Sequence, residues 1–128
     1  MSSSFLEIYL GKRFNREKLK LNIPKEKFDE AIKEIIHGAS DPLGHKLFKK
    51  RIGGTGRGKS GAYRAITYYR DGSLLIFIEL FSKNDKENIT DKEKQELILL
   101  SKELDLLTKV GIDSLVRSNK FIKYAYVA

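Results

Sequence analysis

The sequence predicts a small α+β domain built on a mainly antiparallel sheet. Three observations predict it. Strand-like and helix-like runs follow in the order strand, helix, helix, strand, strand, strand, helix. An Asp71-Gly72 pair separates two β-rich runs, which is the signal of a tight hairpin. Thr90-Asp-Lys-Glu93 spells a capping box ahead of a leucine-rich run. At 128 residues the chain is most simply one domain, residues 1–128, and it can bury roughly 65% of its unfolded surface in a core without staples.

Each element has its own warrant. Phe5 to Leu10 alternates as a short strand. Lys12 to Leu21 is a basic helical segment with Phe14, Leu19 and Leu21 as its apolar points. Pro24 suits a first helical position, and Phe28, Ala31, Ile32, Ile35 and Ile36 then follow the 3.6-residue period. Gly38 ends that helix, with Pro42 soon after. His45 to Ile52 reads as the next strand, and Gly53 to Gly61 as a loop with five glycines. Ala62 to Arg70 and Ser73 to Lys83 form the hairpin, and the capped helix runs to about Leu107. Ile112 to Arg117 suits a short helix and Phe121 to Val127 a tail strand.

Charge narrows the function. The chain has 25 basic and 17 acidic residues, a net charge of +8. Lys46, Lys49, Lys50, Arg51, Arg57, Lys59, Arg64 and Arg70 fall in residues 42–70, a window without Asp or Glu, and elsewhere the signs balance. Such a concentration is an electrostatic footprint for a polyanion, of which nucleic acid is the commonest. The absence of Cys removes disulfide and thiolate chemistry and fits a reducing, cytoplasmic setting. With two separated His, no zinc-type site is legible. Met1-Ser-Ser-Ser4 has no signal-peptide character. Leu74 to Leu80 is too short to span a bilayer, so no membrane partner is expected.

Gly53 to Ser60 matches the nucleotide-binding pattern GxxxxGK[ST]. However, the segment after it is rich in β-formers and lacks the helix N-terminus that would hold the phosphates. The loop is either a flexible connection or a carrier of basic side chains to nucleic-acid phosphates. A symmetric two-residue turn at Asp71-Gly72 would set Arg64 opposite Glu79 and bring Lys59 and Ser60 level with Asn84 and Lys83. Arg64 and Glu79 are then either a structural ion pair or a phosphate-binding arginine with its orienting carboxylate. Tyr63 is a base-stacking candidate or simply packing. His37 suits a helix C-terminus, and His45 a solvated loop.

Lys49-Lys-Arg51, then Gly56-Arg-Gly-Lys-Ser-Gly-Ala-Tyr-Arg64, then Phe81-Ser-Lys-Asn-Asp-Lys-Glu-Asn-Ile89 resembles the RelE/HigB group of bacterial toxins. The resemblance covers about residues 5–110, leaving 111–128 as a C-terminal tail. Ala62 departs from the group's second glycine, and Asp85 from its usual Glu. The resemblance implies a RelE-like (microbial RNase-like) fold with helices packed on one face of the sheet. It further implies mRNA cleavage, generally at the ribosome, without metal or cofactor, and inhibition by a neighbouring antitoxin, expected to be a small helix-turn-helix protein. Some relatives poison DNA gyrase instead, so the target stays open. The reaction would be attack of a ribose 2′-OH on its adjacent phosphate. Lys59, Arg64 and Lys83 are the catalytic candidates. Lys49, Lys50, Arg51, Arg57, Tyr63 and Asn84 would bind RNA, and Glu79 would orient Arg64. A module that binds nucleic acid without cutting it would use the same patch.

Overall fold

The computed structural model describes residues 6–53, 62–86 and 88–128. Its elements are β1 (Glu7–Gly11), α1 (Lys12–Leu21), α2 (Lys25–Ile36), β2 (Asp41–Gly44), β3 (Leu47–Ile52), β4 (Tyr63–Arg70), β5 (Leu74–Ser82), α3 (Asp91–Leu104), α4 (Lys109–Arg117) and β6 (Phe121–Lys123). The strands form one sheet in the order β2-β3-β4-β5-β1-β6, antiparallel except where β1 runs alongside β5. The α+β class and the mainly antiparallel sheet are as the sequence predicts.

The placement of the helices is not. Successive strand residues sort into two separate cores. Ile8, Leu10, Ala65, Leu75 and Phe77 pack with Phe14 of α1 and with Phe28, Ala31, Ile32 and Ile35 of α2. Tyr9, Ile66, Tyr68, Leu74 and Ile76 pack with Leu97 and Leu104 of α3 and Ile112 of α4. Helices therefore cover both faces, not one. The reason lies in the central strand: Leu74-Leu75-Ile76-Phe77 is apolar on both sides, and each side must be shielded from water.

Local chemistry sets most boundaries. Asn22 closes α1 in the left-handed conformation that a helix C-terminus favours. Pro24 stands one place before the first helical residue of α2 rather than within it. His37 Nδ1 lies 2.8 Å from the Lys33 carbonyl, the capping role expected of it. The Thr90–Glu93 capping box is fully formed and opens α3, which ends at Leu104, short of Leu107. The strand expected from His45 starts only at Leu47, because His45 and Lys46 both adopt left-handed φ, 51° and 66°. They form a two-residue turn that folds Asp41–Gly44 back onto β3 as an unforeseen edge strand. At the other edge, β6 pairs with β1, so residues after 110 supply both a helix and a strand of the sheet. Among the described residues no helix is long and apolar enough to cross a membrane.

Candidate nucleic-acid interface

The hairpin between β4 and β5 positions the cationic side chains, and its register departs from the symmetric one. Arg70 pairs with Leu74, leaving three residues in the loop, and Ser73 returns two hydrogen bonds to the Arg70 carbonyl, from N–H and from Oγ, each at 2.8 Å. Further along, Ile66 pairs with Glu79 but Thr67 with Phe77, which leaves Ile78 as the extra residue of a β-bulge. The ladder thus slides by one residue at the turn and another at the bulge. Arg64 lies opposite Phe81, with Glu79 one step diagonal rather than directly across. The bulge also exchanges the faces of β5. Leu74 and Ile76 belong to the α3 core before it, and Phe81 after it.

A ladder row therefore crosses three strands: Arg51 on β3, Arg64 on β4 and Phe81 on β5. The next row is Lys49, Ile66 and Glu79. Alternation puts both rows on the face that carries α3. One step beyond, the Lys83 N–H donates to the Ala62 carbonyl at 2.9 Å. Lys83 and Asn84 lie exposed in the turn that follows β5, and the Ser82 hydroxyl accepts from the Asn84 N–H at 3.1 Å. Arg64 is only 7% exposed, and its Nη1 donates to the Tyr63 carbonyl at 3.4 Å. Lys49 Nζ donates to Asn88 Oδ1 at 2.7 Å. Arg51 is exposed and has no ion pair among the described residues. Like charges directly opposed on a ladder repel at about 5 Å. Arg51 and Arg64 are such a pair.

Two candidates fall elsewhere. Lys50 pairs with Ala65 and points to the other face. There it is 8% exposed, with Nζ 2.6 Å from Glu34 Oε1 and donating to the Ala39 carbonyl at 2.8 Å. Its charge is compensated there. Tyr63, next to Arg64 in sequence, likewise packs against the α1–α2 core. Arg57 and Lys59 lie outside the described residues, as does the Walker-like stretch after Gly53 through Ser60. The chain that resumes at Ala62 enters β4 directly and not a helix, so the helix a nucleotide loop requires does not follow.

Over residues 6–123 the sequence matches the family described as the RelE toxin of the RelE/RelB toxin–antitoxin system. The chain belongs to the RelE toxin family. No curated protein and no solved structure matches it. Membership makes the protein a toxin of a toxin–antitoxin system, with a cognate antitoxin as its partner. The match extends well past residue 110, in keeping with β6 being part of the sheet.

Two features of this RelE toxin escaped the sequence. Lys86 lies 5.1 Å from the centroid of the Phe81 ring and donates to Glu93 Oε2 at 2.7 Å. The spacing of a capping box could have flagged Glu93, but nothing local pairs it with Lys86. The second feature is a closed cluster at the far end of α3. Asp105 accepts from the Tyr68 hydroxyl at 2.5 Å and lies 2.9 Å from His45 Nε2 and 3.1 Å from Lys46 Nζ. The Tyr68 hydrogen bond, then Lys46 and His45, hold the Asp105 carboxyl down at about 2. Arg70 completes the cluster by donating to the Leu104 carbonyl at 2.7 Å and to the Tyr68 oxygen at 3.2 Å.

Proposed function

We propose that this toxin is an endoribonuclease that cuts mRNA, acting at the ribosome in the cytoplasm, and that the Arg51–Arg64 row grips the scissile phosphate. The observation that carries this reading is the ladder pairing of two arginines, with Lys49 diagonal to Arg64 and Lys83 one step beyond. The pairing concentrates positive charge at the strand ends from which the glycine-rich loop departs and to which it returns. A planar guanidinium suits bidentate contact with a phosphate. Arg64 is nearly buried and therefore pre-oriented, which strengthens its effect on developing charge.

Cleavage then proceeds by attack of a ribose 2′-oxygen on its neighbouring phosphorus. The 2′-proton leaves to a base, a pentacovalent phosphorane forms, and the 5′-oxygen departs with a proton, leaving a cyclic phosphate. A lysine crowded by cations gives up its proton more readily than a free one and so serves proton transfer. Lys59 takes this role. Arg64 holds the non-bridging oxygens, Lys83 neutralises charge that builds on the phosphorane, and Glu79 steadies Arg64 from its diagonal position. Lys49, Arg51, Arg57 and Asn84 bind flanking phosphates.

The test is induction of the toxin without its antitoxin, followed by mapping of mRNA 5′ ends. Codon-spaced, translation-dependent cuts are expected, and Arg64→Ala and Lys59→Ala should abolish them while the protein stays folded. DNA breaks without mRNA cuts would instead mark a gyrase poison. Salt-sensitive RNA binding without cleavage would mark a binding module.

A further inference from the structure

Two side-chain contacts tie down the described part of the segment that joins β5 to α3. Lys49 Nζ donates to Asn88 Oδ1 at 2.7 Å, linking the segment to β3. Lys86 Nζ donates to Glu93 Oε2 at 2.7 Å while lying over Phe81, the ladder partner of Arg64. Glu93 has a second task. Its Oε1 accepts the Thr90 N–H at 2.8 Å, and Thr90 Oγ1 accepts the Glu93 N–H at 3.1 Å. One carboxylate thus closes the capping box of α3 with one oxygen and holds an ammonium beside the arginine row with the other. The capping box alone needs only the first oxygen, and Asp91 already supplies a negative charge to the same helix turn.

The second oxygen has a consequence for the positive site. Lys86 lies over the ring of Phe81, the ladder partner of Arg64, and without Glu93 its ammonium would be drawn out toward water. It would take with it the turn that carries Lys83 and Asn84. Compensated by Glu93, the lysine stem stays on the Phe81 ring and the turn stays in place. We propose that Glu93 is a positioning residue for this site: through Lys86 it fixes the Lys83-Asn84 turn against the Arg51–Arg64–Phe81 row. The idea takes RNA as the substrate from the function proposed above, while its geometry is independent of the target.

Glu93→Gln separates the two tasks. The amide oxygen still accepts from Thr90, whereas the amide nitrogen cannot accept from Lys86. Lys86→Met breaks the same link from the other side and leaves the cap untouched. Each variant should melt within a few degrees of wild type, since a half-exposed ion pair adds little stability. Each should lower the single-turnover cleavage rate on programmed ribosomes by about tenfold, with little change in KM, because misplacement of a catalytic group affects the chemical step more than binding. The double variant should be no slower than either single one. Full activity in both single variants, additive losses in the double variant, or losses that track melting temperature would overturn the proposal. Growth arrest on induction is scored in parallel. Weakened arrest in both variants, from a wild type that leaves mRNA intact, would remove RNA as the substrate and keep the positioning role.

Discussion

Two groups of cations drawn from the same basic window end in opposite states. At the C-terminal end of α3, Lys46 and His45 close on Asp105, and Arg70 on the Leu104 carbonyl and Tyr68. Every one of these groups has a partner within the chain. At the other end of the same strands, Arg51 and Arg64 oppose each other across the ladder, and Lys49 donates to the neutral amide of Asn88. The first group stabilises the fold, and the second is the one proposed to meet a phosphate. Lys50 sides with the first, because its neighbours are Glu34 and a helix-end carbonyl. The lesson is that a charge cluster in sequence is not a site. Strand register and carboxylates distant in sequence decide which of its cations are neutralised within the chain.

The comparison breaks most visibly at Arg64. Arg64→Ala should lower cleavage by about 10²- to 10³-fold, the cost of removing one oriented donor to a charged transition state, measured in single turnover on ribosomes. Next come the adjacent residues 50 and 51. Arg51→Ala should weaken RNA binding about tenfold and reduce the slope of log affinity against log salt by about 0.7, one phosphate contact on a single strand. Lys50→Met should leave that slope unchanged and lower stability by about 1–2 kcal/mol, since it strips a hydrogen-bonded charge from a buried position. A salt titration and a urea melt on both proteins separate the two roles. Equal slopes for the two variants would place both residues in one group.

The clamp has a pH signature. Asp105 is held at about 2 against an ordinary 3.8, so between those values the unfolded chain binds more protons than the folded one, and stability rises with pH. The Asp105 contribution is complete above the unfolded value and fades as pH falls through the folded one. Thermal melts of wild type and Asp105→Asn should therefore differ fully near neutrality and converge toward pH 2. The smallest effect belongs to Lys46→Gly. Relief of a left-handed φ is worth about 1 kcal/mol, against the loss of an exposed ion pair worth about as much or less, so a net change under 1 kcal/mol is expected in a urea melt.

Much of the fold was legible. The capping box, the 3.6-residue period of α2 and the β-rich hairpin rest on interactions within a few residues of each other, and all three formed where the sequence put them. The candidate site was legible as a set of basic residues and not as a geometry. Arg64, Arg51 and Lys49 share a face as the alternation of β3 and β4 requires. Phe81 takes the place foreseen for Glu79 because the three-residue turn and the bulge at Ile78 each shift the ladder by one residue, and no alternation could reveal the bulge in a run as uniformly apolar as Leu74 to Ile78. Strand β2 was hidden for a related reason. Asp41-Pro-Leu-Gly44 reads as a chain breaker, and it becomes a strand only because the left-handed pair at His45 and Lys46 folds it against β3.

By itself the sequence determined the class of fold, the family and the chain's own excess of positive charge, since these follow from local periodicity, short motifs and a count of ionisable groups. Only the tertiary structure decided which cations are neutralised within the protein. That choice depends on strand register and on carboxylates distant in sequence, such as Glu34 and Asp105. Distant carboxylates meet these lysines only once the sheet has formed, because an ion pair acts over a few ångströms of space and is indifferent to separation along the chain.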